Sequence, residues 1–138
     1  MSSTLQTSVL LARPALWPMA WMAAGSAFGI AWAGGAVGSV PMTEPALLNL
    51  LRFMAVMKGA LALAAGAAMV WRSRRPIRGG VRFAYGVAIA SLAAGPVPIW
   101  AGTHIWAGAL LVHGGLLLWA ITAWRDRAGW LSGRRLIA

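Results

Sequence analysis

The sequence contains no cysteine and only two acidic residues among its 138. Without cysteine the chain can hold no disulfide, no thiolate zinc site and no iron–sulfur cluster. Charged residues make up 10% of the sequence and hydrophobic residues 60%, whereas about a quarter of the residues in soluble domains are charged. These shortages exclude an ordinary soluble globular domain.

Long apolar runs fill nearly the whole chain instead. Four of them are candidates for helices that cross a bilayer, which takes roughly twenty residues, at about 16–37, 46–71, 81–95 and 103–124, and the third is short. The alternating segments of an outer-membrane barrel are absent from the sequence. The sequence therefore predicts a single all-α domain over residues 1–138, a polytopic integral membrane protein with four transmembrane helices.

The basic residues collect at two places that flank the apolar runs. One is the linker between the second and third runs, and the other is the tail that begins at Arg125. The linker arginines are Arg72, Arg74, Arg75 and Arg78. Because linkers rich in arginine stay in the cytoplasm, we expect both termini there. We assign the four linker arginines to the headgroups of anionic lipids.

The formal net charge of +10 does not indicate a nucleic-acid partner, because the arginines lie where orientation in a membrane requires them. Eleven of the twelve basic residues are arginine, and alanine, glycine and tryptophan are abundant. Such usage is typical of GC-rich codons. We therefore expect a multi-pass protein of a bacterial inner membrane that interacts with lipids and with no nucleic acid.

Lys58 lies near the middle of the second run, where a charged side chain costs a few kcal/mol even on the mildest scale. The two acids of the chain, Glu44 and Asp126, both lie outside the apolar runs. The amine is therefore expected to face water, to lose its charge, or to meet a ligand or partner from another molecule. Arg52 lies closer to the outer face. Either it binds a partner, or its side chain reaches lipid phosphates or Glu44 and has no further function.

His113 lies near the middle of the fourth run, at a depth similar to that of Lys58. A neutral imidazole can accept a hydrogen bond from that amine or bind haem or quinone, or else it packs against a backbone carbonyl without a function. His104 and His113 are separated by about 13.5 Å along a helix axis and by half a turn. Bis-histidine haem within one chain is therefore excluded, and haem would need Met54 or Met57 opposite His113.

Glycines with GxxxG spacing occur twice in the first run, as Gly25 with Gly29 and as Gly34 with Gly38. This spacing lets another helix approach the backbone closely. We predict that these four glycines form a helix-packing surface. The helix that packs there is either another run of this chain or part of a foreign subunit.

The small size, the absence of an embedded carboxylate and the many surfaces suited to helix packing point to a small non-catalytic accessory subunit. We expect it in a larger electron-transport or photosynthetic complex, where it stabilises or binds a partner subunit, lipid or quinone. Two alternatives stay open: a haem b- or quinone-binding protein, and a small homo-oligomeric transporter or channel with Lys58 lining an anion path. No nucleophile–base pair and no set of metal ligands can be assembled, so we predict neither a catalytic nor a metal site and assign no cofactor.

Overall fold

A computed structural model describes residues 16–34 and 44–131, which form six helices and no strand. They are α1 (Leu16–Gly34), α2 (Pro45–Arg72), α3 (Gly79–Ala94), α4 (Pro96–Trp100), α5 (Ile105–Arg125) and α6 (Arg127–Leu131). The all-α prediction is confirmed for this part of the chain. Gly38 lies outside the described residues, as does the second half of the tail, 132–138.

Three helical stretches in the described part of the chain are long and apolar enough to cross a membrane. They are α2, α3 together with α4 (Gly79–Trp100), and α5. Each has at least the roughly twenty residues that a bilayer requires. Helices of this length and composition are those of a multi-pass membrane protein.

The third of these stretches is longer than the sequence analysis predicted. We expected it over 81–95, which would end it at Gly95, just before Pro96. In the structure Gly95 keeps helical torsion angles (φ −63°, ψ −40°), and α4 continues directly to Trp100. Pro96 and Pro98 lie in the first turn of α4, where the backbone amides have no partner within the helix, so a missing N–H costs little.

The helix α3 lies at the centre of the bundle, packed most extensively against α1 and α5, while α2 contacts both α3 and α4. Small residues allow these close approaches. A Cβ added to Gly115 of α5 would lie 3.0 Å from the carbonyl oxygen of Ala88 in α3. Lipid tails are as apolar as leucine, so packing of this kind, rather than the hydrophobic effect, holds helices together in a membrane.

A tight turn separates α4 from α5. Gly102 and His104 have positive φ angles of 71° and 40°, and α5 begins at Ile105 rather than at the predicted Thr103. His104 precedes the helix and stacks on Trp32 of α1, with ring centroids 5.2 Å apart. The stack joins the end of α1 to the α4–α5 turn.

Candidate functional site

An ion pair joins the ends of α2 and α5. Arg72, the last residue of α2, is only 3% exposed, and Asp126 is the C-cap of α5. Nε and Nη2 of Arg72 donate to the two carboxylate oxygens of Asp126 at 2.8 and 3.0 Å. A guanidinium matches a carboxylate best in this two-bond geometry. The assignment of Arg72 to lipid headgroups is therefore corrected, because its charge is met inside the protein.

Two further hydrogen bonds attach the segment after α5 to the same end of the bundle. Nε1 of Trp130 donates to the hydroxyl of Tyr85 at 2.9 Å, and Nη1 of Arg75 donates to the carbonyl of Gly129 at 3.1 Å. Gly129 also leaves room for the ion pair, since a Cβ there would collide with Nη2 of Arg72. The start of the tail thus folds back onto the bundle, and the buried Tyr85 hydroxyl has a hydrogen-bond partner.

Three tryptophans at this end of the bundle each carry an arginine over the ring. The pairs are Arg75 over Trp71, Arg82 over Trp17 and Arg127 over Trp124, at 5.2, 5.0 and 5.7 Å from the ring centroids. The ring face attracts the cation, and amphipathic indoles favour the membrane–water interface. These pairs are the arrangement expected of an interfacial layer, and we call this the arginine-rich end.

The other linker arginines lie near this layer in different settings. Arg74 and Arg78 are exposed, and Arg75 is half-buried. Arg78 occupies the N-cap position of α3 without a capping side-chain hydrogen bond. Arg74 and Arg75 line a cavity of about 400 Å³ together with Arg82 of α3. The structure thus brings two of the four predicted headgroup residues to one cavity.

His113 lies on the outside of α5, exposed among large apolar side chains. Leu110 and Leu117, one turn to either side, are 69% and 63% exposed, and no described residue comes within 4 Å of a Cβ built on the adjacent Gly114. Nδ1 of His113 is 2.7 Å from the carbonyl oxygen of Ala109. When Nδ1 donates to that carbonyl, Nε2 carries the lone pair that can accept a hydrogen bond or bind a metal.

Lys58 lies on the packed side of α2. A row of residues spaced by three and four along this helix is buried: Leu51, Ala55, Ala62, Ala65, Met69 and Arg72. Lys58 occupies the one position in the row that is only half-buried. The structure does not pair it with His113, which is exposed on α5. Arg52 is exposed near the other end of α2, with its guanidinium 5.6 Å from the ring centroid of Trp100.

Two of the predicted packing glycines, Gly25 and Gly29, lie against α3. A Cβ on Gly25 would collide with the carbonyl oxygen of Ala90, and one on Gly29 would lie 2.6 Å from another carbonyl oxygen of that helix. Ala33 continues this buried row. No described residue lies within 4 Å of the Cβ position of Gly34, so its assignment to a packing surface stays a prediction. Residues four apart, such as Gly25, Gly29 and Ala33, lie on one face of a helix. Gly34 follows Ala33 directly and is therefore rotated by about 100° away from that face.

Within residues 16–34 and 44–131, no group of three or more His, Cys, Asp or Glu side chains is placed to hold a metal ion. Comparison of the chain with family models, with curated proteins and with solved structures finds no match.

Three residues of the arginine-rich end were missed by the sequence analysis as site residues: Asp126, Tyr85 and Trp130. The signal for Asp126 was present, because it is one of only two acidic residues in a strongly basic chain and lies two residues after the last apolar run. No comparable signal existed for the other two, which are 45 residues apart in the sequence.

Proposed function

We propose that this protein is a small non-catalytic accessory subunit of a larger electron-transport or photosynthetic complex in the bacterial inner membrane. In this proposal it binds a partner subunit through the outer face of α5. The observation that carries the proposal is His113, an imidazole exposed in the middle of an apolar helix face.

The depth of His113 makes its exposure costly in lipid. It lies about 12 Å from the start of α5 and about 18 Å from its end, at 1.5 Å per residue, well within a hydrocarbon core of about 30 Å. Nδ1 is already satisfied by the carbonyl of Ala109. A polar group left unsatisfied in hydrocarbon costs several kcal/mol. A donor on a neighbouring subunit that bonds to Nε2 would remove this cost.

Four spans with both termini in the cytoplasm belong to the same proposal. The helix α1 has 19 residues, contains no charged residue and packs closely on α3, which supports a fourth span beside the other three. The arginine-rich end includes the α2–α3 linker and the end of α5. The excess of arginine in cytoplasmic linkers supports placing this end inside the cell.

A second candidate function, the binding of haem b or quinone, is favoured by the contact between Nδ1 and Ala109. Histidines that ligate a metal through one nitrogen commonly donate from the other to a backbone carbonyl. The open space beside Gly114 leaves room for a flat ring next to the imidazole. Because His113 is exposed on this chain, such a group would be shared with a partner or a second copy.

Purification from native membranes in mild detergent, followed by a native gel and mass spectrometry, tests both candidates. We expect a stoichiometric partner that is lost in His113→Leu and retained in Leu117→Ala, a control that changes the same exposed face without changing its polarity. A wild-type chain that migrates alone, or equal loss in both variants, would contradict partner binding. A Soret band that only His113→Leu abolishes would support the haem candidate.

A further inference from the structure

The cavity of about 400 Å³ at the arginine-rich end lies where the α2–α3 linker meets α1 and α3. Its wall includes three arginines, Arg74, Arg75 and Arg82, and no acidic residue. Trp17 and Ile77 form an apolar part of the same wall. The volume is within the range of about 300–1,000 Å³ that is usual for sites of small ligands.

No acidic side chain is available to neutralise these three charges. The sequence has only two. Asp126 accepts two hydrogen bonds from Arg72, and Glu44 precedes α2 at the opposite end of that helix. Among the described residues, an anion that enters the cavity therefore meets positive charge that no acidic side chain compensates.

Two of the three guanidinium groups lie over tryptophan rings. Arg82 lies over Trp17, and Arg75 lies over Trp71 while it donates to the carbonyl of Gly129. The ring face attracts the cation, and the N–H groups that point away from the ring stay able to donate. Donors fixed in this way match the oxygens of a phosphate group with little loss of side-chain entropy.

We propose that this cavity binds the phosphate headgroup of an anionic phospholipid. The surrounding layer of tryptophan–arginine pairs places it at headgroup level, and basic pockets between membrane helices are suited to such lipids. The apolar wall formed by Trp17 and Ile77 suits the glycerol and first methylenes of a lipid, which a free phosphate ion lacks. The positive end of the α3 dipole, at Gly79, adds to the attraction.

Native mass spectrometry of the full-length protein in mild detergent tests this proposal, with phosphatidylglycerol and phosphatidylcholine as probes. We expect retention of phosphatidylglycerol alone, and a loss of affinity of about fivefold for each arginine removed in Arg74→Gln/Arg82→Gln. The matched control is Arg125→Gln/Arg127→Gln. It removes two exposed arginines from the same end, one of which lies over a tryptophan ring, and it should retain the lipid.

Three outcomes would overturn the proposal: equal binding of the two lipids, an equal loss in the control variant, or displacement of phosphatidylglycerol by millimolar inorganic phosphate. The last would assign the cavity to a free anion. Arg82→Lys keeps the charge without the planar fork, and we expect it to bind with intermediate affinity. If the double variant fails to fold, Arg74→Gln alone decides, because the Arg74 side chain is exposed and its loss should not disturb folding. A fivefold loss of affinity for phosphatidylglycerol supports the site, and unchanged affinity refutes it.

Discussion

Replacing Asp126 with alanine should destabilise the bundle by about 3 kcal/mol, because it leaves the Arg72 guanidinium buried without an acid. Nη1 of Arg72 has no hydrogen-bond partner among the described residues, so the two bonds to Asp126 are what compensates this cation. Removing one partner of a buried ion pair typically costs about 3–5 kcal/mol. We expect the lower end of that range because Asp126 is 14% exposed and water reaches the site.

The reverse change, Arg72→Met, should cost less, about 1–2 kcal/mol, since water can hydrate the partly exposed carboxylate that remains. Unfolding by sodium dodecyl sulfate in mixed micelles, followed by circular dichroism, measures each free energy. In the double variant Arg72→Met/Asp126→Ala we expect recovery of at least about 1.5 kcal/mol relative to the sum of the single changes.

Glu44→Ala is the matched control for the loss of an acid, because Glu44 is exposed and is the other acidic residue of the chain. We expect it to change the free energy of unfolding by less than about 0.5 kcal/mol. If Asp126→Ala changed stability as little as this control does, or if the two single changes were additive, the ion pair would not be what holds this end together.

Two further contacts give predictions for the same unfolding assay. Gly25→Ala should lower the free energy of unfolding by about 1–3 kcal/mol, because its Cβ would collide with the backbone of Ala90. Gly34→Ala is the control, and it should be neutral or slightly stabilising because no described residue lies near that Cβ. Equal costs for the two variants would contradict this packing. Trp130→Phe and Tyr85→Phe should each cost about 1 kcal/mol by removing one end of their hydrogen bond, and a combined cost equal to the sum would show that the bond is not formed.

The membrane-spanning helices could be predicted from the sequence because a bilayer imposes their length. The second run was predicted over 46–71 and is observed as Pro45–Arg72. The path through Gly95 and Pro96 was not predicted, because a glycine–proline pair ends a helix in most settings. Whether the chain turns away or starts a new helical segment depends on what packs against it, and here Gly108 of α5 lies against Gly95.

The sequence could not predict which side of each helix packs against its neighbours, because membrane helices are apolar on all sides and show no amphipathic period. Hydropathy placed Lys58 and His113 near mid-membrane but did not indicate that the first lies on the packed row of α2 and the second on the outside of α5. Nor did hydropathy show that Arg72 is buried in an ion pair whereas Arg74 and Arg75 line the cavity. Which arginine turns inward depends on where α5 ends beside α2.

The separation of Arg72 and Asp126 by 54 residues has a consequence for biogenesis. At a translation rate of 5–20 residues per second, the acid emerges from the ribosome roughly 3–11 s after the arginine. During that interval the arginine has no counterion at its end of the nascent bundle, and it is exposed to water or lipid phosphates. Unfinished or truncated copies would therefore display a cation that finished copies conceal, a chemical difference by which a quality-control protease can recognise them.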